Sequence, residues 1–224
     1  MIVTIPRNYR KQVLLSEFVL LFLVLPVAFF YLRNQLAPYL LLCLLTILIW
    51  CLSLLILDDR FKRFRLWNIE TMKAYLPKVI NTFLFAALFI TILSWWFTPE
   101  WLFSLPLDQT LMWLGLLVLY PLLSAWPQEI IFRTFFFHRY KKVFKSKNLR
   151  AWLSALSFAL AHLLFGNWIA VLGSFVAGLV FSYTYIHSRS TLLVALEHSL
   201  WGCWLFTAGL GVHFDSGMLA EPSF

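Results

Sequence analysis

Apolar residues along this chain come in blocks rather than in alternation, and short polar, mostly basic stretches separate the blocks. They cover 13–32, 36–57, 80–98, 109–126, 150–166, 168–187 and 191–211. Each is close to the roughly 20 residues that an α-helix needs to cross about 30 Å of hydrocarbon at about 1.5 Å per residue. The stretch 127–140 continues beyond the fourth block and begins with Pro127. Proline has no N–H to donate and suits the first turn of a helix, so this stretch predicts a short eighth helix or a kinked extension. The pattern predicts an all-α, polytopic transmembrane bundle of seven to eight helices, with 1–224 as a single membrane domain. In the sixth block Ser174 and Gly178 sit four apart, a small-xxx-small spacing that permits close helix packing.

Composition agrees with a chain dissolved in lipid: 62% of the 224 residues are hydrophobic and 12% charged. Soluble domains carry about 45–50% apolar and about 25% charged residues. The net charge of +8 would suit nucleic acid, but the bases lie between apolar runs and no groove-reading motif accompanies them, so nucleic acid is not an expected partner. Placed inside by the positive-inside rule are the N-terminus (Arg7, Arg10, Lys11), 58–79, 138–150 and the turn at 187–190. Of the 18 Lys and Arg, that leaves only Arg33 and Arg133 elsewhere. The chain then starts in the cytoplasm, as in a bacterial inner membrane, and its basic loops face anionic lipid. The basic N-terminus and the long first block read as a retained signal anchor. Trp95, Trp96, Trp101 and Trp126 fall near span ends as an aromatic belt, and the FFFH run at 135–138 reads as an interfacial anchor. The tail from Val212 to Phe224 reads as polar and frayed. Cys43, Cys51 and Cys203 lie in apolar segments and form neither a disulfide framework nor a CxxC knuckle.

A charge at mid-membrane costs at least about 2.5–3.5 kcal/mol, so intramembrane ionisable residues are functional candidates. Glu17 stands near the start of the first span, within reach of interfacial water. The others are Glu129, Arg133, His162, Glu197 and His198. In PQEIIFRTFFFHRY, Glu129 and Arg133 are four apart on one helix face, which serves a neutralising ion pair as well as a site. Phe158 and His162 have the same spacing in SFALAHLLFGN. In LEHSLWG, neighbouring Glu197 and His198 point about 100° apart; His198 is read as facing inward and Glu197 as facing another helix or water. At helical rise Glu129, His162 and His198 lie about 10–18 Å from one side of the membrane. A carboxylate and two imidazoles at matched depth can activate water, move protons and polarise a carbonyl, as peptide hydrolysis requires. Two His and a Glu can also bind zinc, although no HExxH lies on one helix.

These segments resemble the CPBP intramembrane proteases, also called the CAAX protease and bacteriocin-processing (Abi) family. The family pattern is EExxxR, FxxxH and HxxxN or HxxxD on successive membrane helices. Here the segments read Gln128-Glu129-xxx-Arg133, Phe158-xxx-His162 and His198-xxx-Gly202, in a family-like core at 109–211. The resemblance implies a glutamate-dependent intramembrane endopeptidase acting on a membrane-associated peptide or protein, with no metal or cofactor. It implies that a carboxylate and His162 activate water, while His198 and the HxxxN amide hold the oxyanion. Gln128 stands where the pattern has its first Glu, and an amide cannot take a proton at neutral pH. Gly202 brings no side-chain donor. Either Glu129 takes over as base, or the protein is an inactive relative acting as a binding or bacteriocin-immunity protein. A transporter is disfavoured because no inverted repeat or paired interrupted helices are evident. No feature fixes the oligomeric state.

Overall fold

In the computed structural model, which describes residues 10–215, every regular element among the described residues is helical. Arg7 and the tail from residue 216 onward lie outside the described residues. The helices are α1 (Lys11–Tyr31), α2 (Arg33–Ile56), α3 (Ile69–Phe97), α4 (Ser104–Asp108), α5 (Thr110–Arg139), α6 (Lys147–Phe165), α7 (Trp168–Ser188) and α8 (Thr191–Ala208). Six of them are long and apolar enough to cross a membrane: α1, α2, α3 with the 3₁₀ turn Arg63–Leu66 before it, α5, α6 and α7. Large apolar side chains on their outer faces, such as Leu88, Leu111 and Val118, are exposed. In water such a belt would drive aggregation; here it is the surface that meets lipid, and the chain is an integral membrane protein.

The expected span at 191–211 is a helix, α8, but not one of those six. It packs against α3, α5 and α7, and Glu197, His198, Ser199 and Thr207 along it are buried. Neighbouring helices supply their partners. Trp113 Nε1 donates to Thr207 Oγ1 at 2.9 Å, and Thr82 Oγ1 on α3 donates to Glu197 Oε1 at 3.3 Å.

Pro127 does not begin a new helix, and the spans expected at 109–126 and 127–140 are one continuous α5. Two wide π turns, Pro121–Ala125 and Ile130–Phe135, interrupt its α geometry. In the first, Trp126 N–H reaches five residues back to Pro121 O. A π turn adds one residue to the helical circuit, which relieves the clash and missing donor that a proline brings. α3 likewise begins earlier than expected and takes in Lys73, Lys78 and Pro77. Side-chain caps start the three helices that follow. Ser146 Oγ accepts from Leu149 N–H, Asn167 Oδ1 from Ala170 N–H and Ser190 Oγ from Leu193 N–H, each cap typically contributing about 1 kcal/mol.

The termini of the helices gather at two ends. At the basic end, His138 Nε2 lies 3.0 Å from Asp58 Oδ2, Asn68 Nδ2 donates to Ser188 O at 3.3 Å and Thr191 Oγ1 donates to Arg65 O at 3.0 Å. The Arg60 guanidinium, bonded to Asp58, holds that carboxyl well below the usual carboxylate range. Glu17, near the N-terminal end of α1, is partly exposed and accepts both prongs of Arg139 at 2.9 and 2.6 Å and the Tyr140 hydroxyl at 2.9 Å. Phe135, Phe136 and Phe137 are buried, not interfacial. They join Phe18, Phe22 and Tyr140 in an aromatic core whose rings meet edge to face, as Phe22–Phe136 does at 5.1 Å. Trp126 lies mid-helix against Trp67, centroids 4.9 Å apart, whereas Trp95 and Trp96 are exposed. At the opposite end α8 stops at Gly209, φ +104°, where a Cβ would stand 2.4 Å from Trp101 O. There the tail is packed as far as Phe214: His213 O accepts from Asn167 Nδ2 at 2.7 Å.

Candidate active site

Between the aromatic core and that opposite end the helices border an open-sided cavity of about 1590 Å³. Its wall is almost entirely apolar. Its polar lining comes from Tyr120, Ser124 and Gln128 of α5, His162 of α6, Ser174 of α7, His198 of α8 and Asp215.

Glu129 is fully buried behind this wall and does not line the cavity. Both carboxylate oxygens are engaged: Oε1 lies 2.7 Å from His198 Nδ1, and Oε2 lies 3.1 Å from Arg133 Nε, poorly aligned for a hydrogen bond. The four-residue spacing of Glu129 and Arg133 thus forms the ion pair that the sequence allows. Arg133 is itself fully buried and stands over the rings of Phe158 at 4.5 Å and Phe181 at 5.4 Å. A buried guanidinium is tolerated only when paired and packed in this way.

His198 is held on three sides. Nδ1 faces Glu129, Nε2 lies 3.0 Å from the Tyr120 hydroxyl, and the ring stacks on Phe181 with centroids 5.0 Å apart. An ionised Glu129 takes the Nδ1 proton as a hydrogen bond, which leaves Nε2 to exchange a proton on the cavity side. The adjacent Glu197 turns toward Thr82 on α3.

His162 stands where α6 tightens into a 3₁₀ turn. Its backbone N–H moves onto Ala159 O, and its ring Nδ1 lies 2.7 Å from Phe158 O. A carbonyl can only accept, so Nδ1 carries the hydrogen and the neutral ring has its bare Nε2 free of that contact. Phe158 explains the FxxxH spacing physically: its ring is 4.5 Å from His162, 5.5 Å from His198 and 4.5 Å from the Arg133 guanidinium. One side chain sets the separation of both imidazoles and screens the ion pair from the cavity.

Gln128 is the side chain that faces the cavity from the Gln128-Glu129 pair, and its amide donates to Ser124 Oγ at 2.8 Å. Gly202 lines the cavity beside His198. Of the residues singled out by sequence, Glu129, Arg133, Phe158 and His198 are thus in direct contact. His162 joins them through Phe158, and Gln128 and Gly202 join them at the wall.

Three participants were not legible in the sequence. Phe181 and Phe214, the latter 6.0 Å from His162, are unmarked aromatics in apolar surroundings. Tyr120 had a weak signal, a lone hydroxyl in the run LVLYPLL. Among the described residues no three His, Cys, Asp or Glu side chains converge as a metal-ligand set. What the arrangement offers chemically is a wall of imidazole and phenol groups, backed by a buried carboxylate that contacts one of them.

Comparison with known families gives one match: residues 109–204 fit the family described as type II CAAX prenyl endopeptidase Rce1-like. The matched segment contains all three motifs, from Gln128 to Gly202. No curated protein and no solved structure matches the chain.

Proposed function

We propose, from the match of residues 109–204 to the Rce1-like type II CAAX prenyl endopeptidase family, that this membrane protein hydrolyses an amide bond in a membrane-associated peptide or protein. One observation carries the reading: two imidazoles, His162 and the Glu129-backed His198, border the same apolar cavity across the ring of Phe158. An apolar chamber with a few convergent polar groups is the usual form of a binding site for an organic substrate.

The chemistry then runs as follows. The substrate carbonyl enters the cavity beside His198, and a water stands against His162 Nε2. His162 takes a proton from the water as the water oxygen bonds the carbonyl carbon, and the carbonyl electrons move onto its oxygen. The oxyanion rests on the His198 side. When the C–N bond breaks, the proton on His162 passes to the departing nitrogen. Glu129 does not touch the water. It sits between Arg133 and His198, fixes the imidazole's orientation and stabilises positive charge on it. Gln128 cannot take up a proton at neutral pH and serves as a hydrogen-bonding wall. The basic end faces the cytoplasm, as the charge pattern of a bacterial inner-membrane protein would have it.

A second reading has a specific observation in its favour. Gln128, an amide, faces the cavity at the position where the family pattern has a Glu. A protein that uses the chamber only to hold a peptide, as an immunity or binding protein would, needs no carboxylate there.

The two readings separate when wild type and His162→Ala are expressed at equal membrane levels in the native organism and the termini of membrane-associated proteins are compared by mass spectrometry. Hydrolysis predicts new termini in wild type that fall by about 10²-fold or more in the variant, the usual contribution of a general base. Identical termini in the two would favour the binding protein.

A further inference from the structure

The family pattern ends on a residue that carries a side-chain donor four positions after the second histidine. Here that residue is Gly202, and its missing side chain has a visible cause. A Cβ built on Gly202 would stand 2.3 Å from the Tyr120 hydroxyl oxygen, 2.4 Å from Cε1 and 2.5 Å from Cζ. No side chain at 202 can coexist with the phenol where it stands. Tyr120 therefore fills the space in which a donor at 202 would begin, and it arrives from α5 rather than α8. Its hydroxyl is not idle there, lying 3.0 Å from His198 Nε2 and lining the cavity. The ring is braced edge-on by Phe206, centroids 5.8 Å apart. A hydroxyl turned into an apolar chamber is costly without a partner, and His198 supplies one.

We infer that Tyr120 and Gly202 are a matched exchange, in which the Tyr120 hydroxyl takes over the oxyanion-holding role of the side chain absent at 202. The inference rests on the hydrolytic reading above. When Nε2 of His198 is bare, it accepts the phenol hydrogen. When His198 has taken up a second proton from the aqueous phase, which it keeps through the turnover, Nδ1–H donates to Glu129 and Nε2–H donates to the phenol oxygen. The phenol's own hydrogen is then free to donate to the oxygen that gains charge as water adds to the carbonyl. No bond to Tyr120 forms or breaks and its proton stays on it, so the relay needs no further reactant. The positive charge on His198, which Glu129 stabilises, is felt at the oxyanion through Tyr120.

The test uses the full-length protein in liposomes and a peptide spanning a cleavage site identified from His162-dependent termini. Tyr120→Phe keeps the ring and removes only the donor. The expected result is a fall in kcat of about 10²–10³-fold, the usual cost of losing one oxyanion donor, with KM and thermal midpoint close to wild type. Gly202→Asn alone collides with the phenol, and the expected result is a lowered midpoint. Tyr120→Leu frees the space, so Tyr120→Leu/Gly202→Asn is expected to regain the midpoint lost by Gly202→Asn and to cleave at least tenfold faster than Tyr120→Leu. A wild-type kcat in Tyr120→Phe, with His162→Ala inactive, overturns the inference and leaves the hydrolytic reading standing. Failure of the double variant to regain either stability or rate overturns the exchange. Absence of His162-dependent termini in wild type removes the hydrolytic reading and the inference with it.

Discussion

At the scale of single residues, the most consequential feature is that neither oxygen of Glu129 faces the cavity. One belongs to His198 and the other to Arg133. Removing one partner of a fully buried pair leaves the other charge uncompensated and typically costs about 3–5 kcal/mol. Glu129→Gln, which preserves volume, should therefore destabilise the protein by about that much in detergent unfolding. It should also lower activity more than the stability loss explains, because His198 loses the charge that orients it. The Glu129–Arg133 contact was legible from spacing, since residues four apart on a helix must meet. The Tyr120–His198 contact was not. It joins residues far apart in sequence, and an apolar run with one tyrosine reads the same whether the hydroxyl meets lipid headgroups or an imidazole. The partner of Glu17 was hidden for a related reason: a carboxylate near a span end reads the same with or without an Arg139 beside it.

At the scale of elements, hydrophobic blocks located the helices well because only helices satisfy their backbone within lipid. Their ends and continuity were less legible. Pro127 carries the local signature of a helix start, yet α5 passes through it, because two π turns absorb Pro121 and the added residues. Gln128 and Glu129 lie between those turns, a common location for residues with a task. The Ser174-xxx-Gly178 spacing corresponds to a close approach of α6 and α7. A Cβ on Gly178 would lie 3.0 Å from Ala155 Cα and 3.3 Å from the Phe158 ring. Gly178→Leu should thus push α7 off α6 and displace Phe158, the ring between the two imidazoles. Overpacking of this kind typically costs about 1–3 kcal/mol. The measurable outcome is a lowered thermal midpoint with loss of activity even below that midpoint, whereas Gly115→Leu, at a position with open space around it, should leave the midpoint close to wild type.

At the scale of the whole molecule, the chain divides along the bundle axis. The basic half is filled by interlocking aromatic rings, and the other half is hollow. The positive-inside pattern already implied which loops share an end, and contacts such as His138–Asp58 and Asn68–Ser188 join those loops. It did not reveal that α8 lies within the bundle, because polar residues on a buried helix and on an interfacial helix look alike in sequence. Single cysteines at Lys145 and at Asp108, in a background lacking Cys43, Cys51 and Cys203, test the orientation. The residue-145 thiol should react with an impermeant maleimide only after the membrane is opened, and the residue-108 thiol in sealed cells; the reverse pattern would invert the topology. The hollow half carries His162 and His198 on the wall of its apolar cavity.

The central claim is that water, activated at His162, cleaves an amide inside this chamber. It is tested most directly with the purified protein in liposomes, a membrane-associated peptide found among its His162-dependent cleavage products, and water enriched in ¹⁸O. Mass spectrometry of the new C-terminus should show one ¹⁸O atom incorporated by wild type and no cleavage by His162→Ala. A peptide left intact by wild-type protein, or cleaved equally by both proteins, would contradict the account.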